Sequence, residues 1–253
     1  MYDQPIKVKN NEYSACPNKY LKSRPDYGIE IFDFLATVIH DNNLAWDCAT
    51  GNGQAAKTLA KYFNNVIATD ASESQLKKAV YKENITYLQT NELNPHLENN
   101  SVDLITVASA IHWMDQKLFY EEARRVLKPN GTIAIWGYTG KNINKSMDST
   151  LDSIINKHLK PYYSDNINMA FSAYSNLDFP FKKIESPIFI TQKLYQFSDL
   201  VDYILSWSAS QKYLTIHNQS PLFLFEDELK SAWGDLTQKK LMTWNLNTYI
   251  GTL

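Results

Sequence analysis

The sequence predicts an α/β fold of the Rossmann-like kind, with a mostly parallel sheet. Three observations carry that prediction. Short apolar stretches alternate with amphipathic stretches of helical period between residues 44 and 138. Two glycines, Gly51 and Gly53, sit where the first apolar stretch gives way to the first helical one. An acid, Asp70, closes the second apolar stretch. Strand, helix, strand at this rhythm means parallel βαβ units, and right-handed crossovers then line up the strand C-termini along one edge. Ligands bind at that edge in doubly wound sheets.

Each element has a local reason. Residues 44–49 (LAWDCA) read as a buried strand, 55–62 as a helix and 66–69 as a second strand. Residues 72–80 read as a helix, with Ser72 as N-cap and Gln75 three residues on to complete a capping box. Residues 85–89 and 102–108 (VDLITVA) are the third and fourth strands. Residues 115–127 form a helix with Leu118, Glu122/Ala123 and Val126 at helical spacing. Lys128-Pro-Asn-Gly131 is its stop signal, and residues 131–138 (GTIAIWGY) make the fifth strand. Beyond Gly140 the style changes. Residues 144–160 predict a helix with Met147, Leu151, Ile154 and Ile155 on one side. An aromatic-rich stretch follows, with Tyr162, Tyr163, Phe171, Tyr174, Phe179 and Phe181. Residues 184–194 read as a strand, 198–207 as a helix capped by Ser198, 226–233 as another helix, and 240–253 as a terminal strand. No linker-like composition separates the halves, so a single domain is expected over 1–253.

Composition narrows the function classes. The chain has 253 residues, and its formal charge is -2, which argues against nucleic acid, since phosphate binding needs a basic surface. No apolar run approaches the ~18 residues of a membrane span, and the N-terminus has no apolar signal core. The expectation is a cytoplasmic protein, a monomer or homodimer, with no membrane partner. The two cysteines, Cys16 and Cys48, have no zinc-ligand spacing, so no metal is expected and a reducing compartment is the default. Only eight glycines occur, so their placement is informative. Arginine is rarer still: Arg24, Arg124 and Arg125.

The chemistry-bearing pattern is Asp47-Cys-Ala49-Thr-Gly51-Asn-Gly53-Gln54. Glycine there allows positive φ and lets a ligand approach the backbone without a Cβ in the way. An acid at the position of Asp70 is placed to accept hydrogen bonds from two ribose hydroxyls. A tight turn plus a helix-capping Asp is the bland alternative, and it must explain both features at the correct spacing. Dinucleotide enzymes use GxGxxG, whereas Gly53 is followed by Gln54, Ala55 and Ala56.

The pattern resembles motif I of the class I S-adenosylmethionine (AdoMet) methyltransferases, Asp/Glu-x-Gly-x-Gly-x-Gly, with Ala49 in place of the first glycine. The resemblance extends along the chain. SVDLITVASAIHWMD (101–115) looks like the fourth-strand motif of small-molecule methyltransferases similar to trans-aconitate methyltransferase (methyltransferase type 11). RRVLKPNG (124–131) is similar to the lead-in to the fifth strand. YLKSRPDY (20–27) resembles an N-terminal lid motif, and LVDYILSWSASQKY (200–213) a later helix carrying Ser-Trp-Ser. The resemblance implies a largely parallel seven-stranded sheet with helices on both faces and an antiparallel last strand. It divides the domain into an N-terminal lid and first helix (1–40), an AdoMet-binding core (41–140), acceptor-side helices with the sixth strand (141–235) and the terminal strand (236–253).

It also implies roles. Asp47, Ala49, Gly51, Gly53 and Gln54 would cradle the methionine end, with the Asp47 carboxylate near its ammonium. Asp70 would take the ribose diol, Ala71 one adenine face, and Thr90 and Asn91 the adenine edge. Ala108 would lie under the sulfonium region. Arg24 would reach the methionine carboxylate, and Tyr20 would close over the methyl group as a lid and catalytic contact. His112 is the candidate base or acceptor contact; a helix-entry histidine that orients the loop is the alternative. Trp113 and Trp207 are candidate walls of the acceptor pocket. The implied activity is methyl transfer from AdoMet to a small molecule, leaving S-adenosylhomocysteine, with a carboxylate oxygen favoured as acceptor. Other readings stay open: methylation of a malonyl-thioester carboxyl, a non-catalytic AdoMet-binding protein, and an NAD-linked oxidoreductase.

Overall fold

The computed structural model describes residues 24–91 and 95–253. Eight strands build one sheet: β1 (Leu44–Cys48), β2 (Asn65–Asp70), β3 (Ile85–Gln89), β4 (Val102–Ala108), β5 (Leu127–Asn142), β6 (Lys182–Lys183), β7 (Phe189–Tyr195) and β8 (Lys240–Thr252). They lie in the order β3-β2-β1-β4-β5-β8-β6, with β7 also on β8. β1 to β5 pair in parallel, and β8 runs antiparallel to β5. Seven positions thus hold eight strands. β6 meets Gly251–Thr252 and β7 meets Lys240–Leu246, both on the outer side of β8. The strand expected over 184–194 begins only at Phe189, and a separate short piece, β6, precedes it on the same edge.

The helices are α1 (Ile29–Val38), α2 (Gln54–Leu59), α3 (Glu73–Leu76), α4 (Gln116–Val126), α5 (Lys145–Ile154), α6 (Ile167–Phe171), α7 (Phe197–Leu205), α8 (Ser208–His217) and α9 (Glu226–Trp233). Both faces of the sheet are covered, so the inner strands are mostly apolar and need no alternation. On one face Ile31, Phe32 and Leu35 of α1 and Ala55, Ala56 and Leu59 of α2 bury against Val66, Leu104, Ala134 and Trp136. On the other, Phe119, Ala123 and Val126 of α4 bury against Trp46, Ile105, Val107 and Ile133. Each such Leu, Ile or Phe stabilises the fold by about 1.5–3 kcal/mol on full burial. A third core joins α5, α7 and α9 to the far end of the sheet through Met147, Leu151, Ile204, Trp233, Met242 and Trp244.

Several local expectations shift. The helix expected over 72–80 shrinks to α3, because Lys78 and Ala79 bond three residues back and tighten the chain out of the α-helix. Ser72 does not cap it. Its N–H donates to Asp70 Oδ1 at 2.8 Å and its hydroxyl meets that of Ser74. Asp115 caps α4 by accepting the Leu118 N–H, and this phase leaves Leu118 exposed while Phe119 and Tyr120 turn inward. α7 is capped by Gln196 in a box with Asp199, not by Ser198. It ends where the Ser206 hydroxyl bonds back to the Tyr203 carbonyl at 2.6 Å, and α8 then starts anew, so the helix that the resemblance implied over 200–213 is broken in two. Asn144 caps α5, which runs on as a π-turn over Ile155–Leu159.

Candidate active site

The strand order reverses between β1 and β4, so the crevice at the C-terminal ends of those strands is where a doubly wound sheet takes its ligand. The turn Ala49–Gly53 leaves β1 there. Three of its residues are left-handed: Ala49 at φ 52°, Gly51 at 58° and Gly53 at 81°. Ala49 thus occupies a conformation that costs a non-glycine residue about 1–2 kcal/mol. The two glycines serve different ends. A Cβ on Gly53 would lie 2.5 Å from the Tyr87 hydroxyl, whereas a Cβ on Gly51 would meet nothing within 4 Å. Gly53 makes room for a β3 side chain; Gly51 shows bare backbone to open space.

Two carboxylates hold this turn. Asp47 is fully buried. Its oxygens accept from the Thr50 hydroxyl, the Thr106 hydroxyl (2.7 Å) and the Ala56 N–H (3.0 Å). Burial outweighs these bonds and raises its pKa from 3.8 to about 6. Its carboxylate is thus turned into the protein, pinning the loop to β4 and to α2. Asp70 accepts the Gly51 N–H and the Ser72 N–H, each at 2.8 Å, and burial raises its pKa too. Its carbonyl takes the Thr90 N–H at 3.0 Å, and Gln89 Nε2 donates to the Ala71 carbonyl at 3.3 Å. Hydrogen bonds thus tie Gly51, Asp70 and Thr90 into one ridge, with Ala71 and half-buried Asn91 next in the chain.

Residues 24–28 cross the crevice as a strap. Gln54 Nε2 donates to Asp26 at 3.3 Å, Tyr138 Oη to the Pro25 carbonyl at 2.6 Å, and Thr191 Oγ1 to the Asp26 carbonyl at 2.7 Å. Tyr27 stacks on Tyr138, with centroids 5.2 Å apart, and reaches Ser109 beyond Ala108 at the end of β4. Ser109 is left-handed as well, at φ 55°. Arg24 lies over the Tyr203 ring at 5.3 Å. Its charge and burial together push His112 down to about 3, burial being the larger cause, so the imidazole is neutral at pH 7.

His112 sits in a short turn, Ile111–Trp113, directly after β4. Its ring is 4.9 Å from that of Trp113, and its Nδ1 is 3.0 Å from Tyr174 Oη. Its buried Nε2 has no hydrogen-bond partner among the described residues. Trp207 is set back in the third core, edge-on to Tyr203 at 5.5 Å. The expected residues therefore gather in two groups, the loop with Asp70 and the His112–Trp113 turn, and the strap joins them. Tyr20 lies outside the described residues. Cys48 is a buried free thiol in β1. Tyr87, Thr106 and Tyr138 were not singled out from sequence, and Tyr174 entered only as one of the aromatic stretch that could line an acceptor site. Only Thr106, inside the fourth-strand motif, carried a usable signal.

These groups suit a nucleoside-bearing ligand with a charged amino-acid end. Gly51 offers open backbone, and the buried Asn52 side chain has an amide nitrogen with no partner among the described residues. A buried donor left unpaired costs about 1–3 kcal/mol, which a ligand acceptor would recover.

The comparisons with known proteins agree. A family model described as a methyltransferase domain matches residues 46–135. A Dictyostelium discoideum protein assigned as a methyltransferase is 28% identical over 95% of this chain and 94% of its own length. The methyltransferase cfoB of Aspergillus candidus is 34% identical over 48% of this chain, which spans 42% of that relative. A solved structure from Anaeromyxobacter dehalogenans, assigned as a type II methyltransferase, is 28% identical, covers 90% of this chain and 97% of its own, and superposes with a TM-score of 0.81. With the reversed strand order, the glycine turn and the strand-end acid in place, these likenesses support a class I S-adenosylmethionine-dependent methyltransferase.

Proposed function

We propose that this methyltransferase acts on a small molecule, with a carboxylate oxygen as the methyl acceptor. The observation that carries the choice of acceptor is His112: buried, neutral, with Nε2 unpartnered among the described residues, and next in charge to Arg24. An imidazole held down to about 3 is a poor general base, because a base works best with a pKa near the working pH. A phenol acceptor needs such a base; a carboxylate is already ionised at pH 7. The neutral imidazole and the Arg24 cation fit an acceptor that arrives as an anion.

S-adenosylmethionine, when bound, supplies a methyl group already activated by its sulfonium charge. What remains for the chain is to bind, align and exclude water. In this reading Gly51 lets the backbone approach the methionine end, Gly53 seats the turn against Tyr87, and Asp47 acts by fixing their loop. Asp70 offers its second lone pairs to the ribose diol. Ala71, Thr90 and Asn91 flank the adenine, and Ala108 floors the reacting end. Arg24 and Tyr20 belong to the lid segment, with Arg24 facing an anionic group. Trp113 walls the acceptor side at His112. Trp207 supports Tyr203, the ring over which Arg24 lies.

A panel of small carboxylic acids and phenols, assayed for S-adenosylhomocysteine release from pH 5 to 9, tests this. Release with a carboxylic acid, at a rate flat across that range, is expected. Release with phenols alone, rising through a limb near neutral pH, would overturn the acceptor class.

A further inference from the structure

The neighbourhood of Tyr174 spends strain on placing one hydroxyl. Ala173 and Tyr174 are consecutive left-handed residues, at φ 58° and 56°. Neither is glycine, so the turn persists only because its surroundings over-determine it. The Tyr174 N–H donates to the Met169 carbonyl at 2.9 Å, and its own carbonyl accepts from Tyr249 Oη at 2.6 Å. The Ala173 carbonyl accepts from Asn247 Nδ2. Beneath the ring, β5 carries Gly137, where a Cβ would come within 2.2 Å of Tyr174 Cε2. Two residues of β8, one of β5 and the turn after α6 thus converge on a side chain that is 1% exposed, and its hydroxyl ends 3.0 Å from His112 Nδ1. Burying an aromatic ring needs neither a tailored glycine nor two left-handed residues.

We propose that Tyr174 is a positioning residue that donates its hydroxyl hydrogen to His112 Nδ1, so that the proton of the imidazole resides on Nε2 and faces an anionic acceptor as a donor. The inference rests on the acceptor reading above. A ring nitrogen's role is set by what the other nitrogen bonds. With Nδ1 accepting from Tyr174, Nε2–H is the only donor His112 can present, and it suits a carboxylate oxygen. Gly137 is the second half of the device, since it lets the tyrosine ring lie against β5.

The test is nitrogen-15 NMR of the histidines, with S-adenosylhomocysteine present, in the wild type, Tyr174→Phe and Gly137→Ala. The wild type is expected to show His112 as a single Nε2–H tautomer, unchanged from pH 5 to 9. Tyr174→Phe keeps the ring and loses the donor; its Nδ1 signal should move and the tautomers should mix. Gly137→Ala keeps the hydroxyl but displaces the ring, so it carries the same readout should the phenylalanine variant fail to fold. With an acceptor in hand, Tyr174→Phe should lower kcat about tenfold and leave the KM for AdoMet within twofold. An Nδ1–H tautomer in the wild type, or an unchanged spectrum in either folded variant, overturns the proposal. Failure of the wild type to release S-adenosylhomocysteine with any acceptor, beside an intact tautomer lock, overturns the methyl-transfer reading instead.

Discussion

Ala49 fills the glycine position of its motif while keeping glycine's conformation, at φ 52°. Relief of that strain is worth about 1–2 kcal/mol, and the looser unfolded chain takes back ~0.4–1 kcal/mol. Ala49→Gly is therefore expected to leave stability unchanged or raise it by up to about 1.6 kcal/mol in thermal denaturation. A loss of that size would show the strain to be absent. Asp47 gives a pH signature. Its folded pKa of about 6 lies above the ordinary 3.8, so between these values the folded state holds the proton more tightly. Its contribution to stability is then greatest at low pH, falls as pH rises from about 4 to 6, and is flat beyond. At about 1.4 kcal/mol per unit the fall is roughly 2–3 kcal/mol, and it should vanish when Asp47→Asn is compared with the wild type across that window. Asp47, Gly51 and Asp70 were legible in the sequence because a local turn and a strand end decide their places. Tyr174 was not: it is 62 residues from His112, and what aims it is Gly137 and two β8 side chains.

Among the elements, the parallel strands were the easiest to read, since burial on both faces leaves nearly continuous apolar runs. Helix starts were harder, because several polar residues compete for each cap and tertiary contacts choose among them. Ser72 gives its N–H to Asp70, which leaves α3 uncapped. Around α7 the Gln196–Asp199 box prevails over Ser198. Asp199→Ala should cost about 1 kcal/mol of stability in thermal unfolding while the affinity for S-adenosylhomocysteine stays within twofold. A tenfold loss of affinity would instead show that α7, through Tyr203 and Arg24, reaches the ligand. The break between α7 and α8 left no punctuation in the sequence; a serine back-bond makes it.

Over the whole molecule, β8 is the piece that unites the halves. It pairs with β5 on one side and with β6 and β7 on the other, and its Met242 and Trp244 enter the third core. A chain ending at residue 239 would leave β7 and the helices beyond it without a sheet to rest on. It is expected to lose cooperative unfolding, whereas retention of a sharp transition would mean that the first five strands fold alone. The antiparallel last strand followed from the family resemblance, which implied seven strands where eight are found; the strand–helix rhythm of the residues reached as far as a parallel α/β sheet. We propose that the crevice between β1 and β4 takes AdoMet, with Asp70 on the ribose diol. Calorimetric titration of S-adenosylhomocysteine into the wild type and Asp70→Ala tests it most directly. Binding by the wild type and at least a tenfold weaker Kd in the variant are expected, since ribose bonds and the Gly51 anchor are lost together. Equal affinity in the two proteins, or a wild type that binds NADH and not S-adenosylhomocysteine, would contradict it.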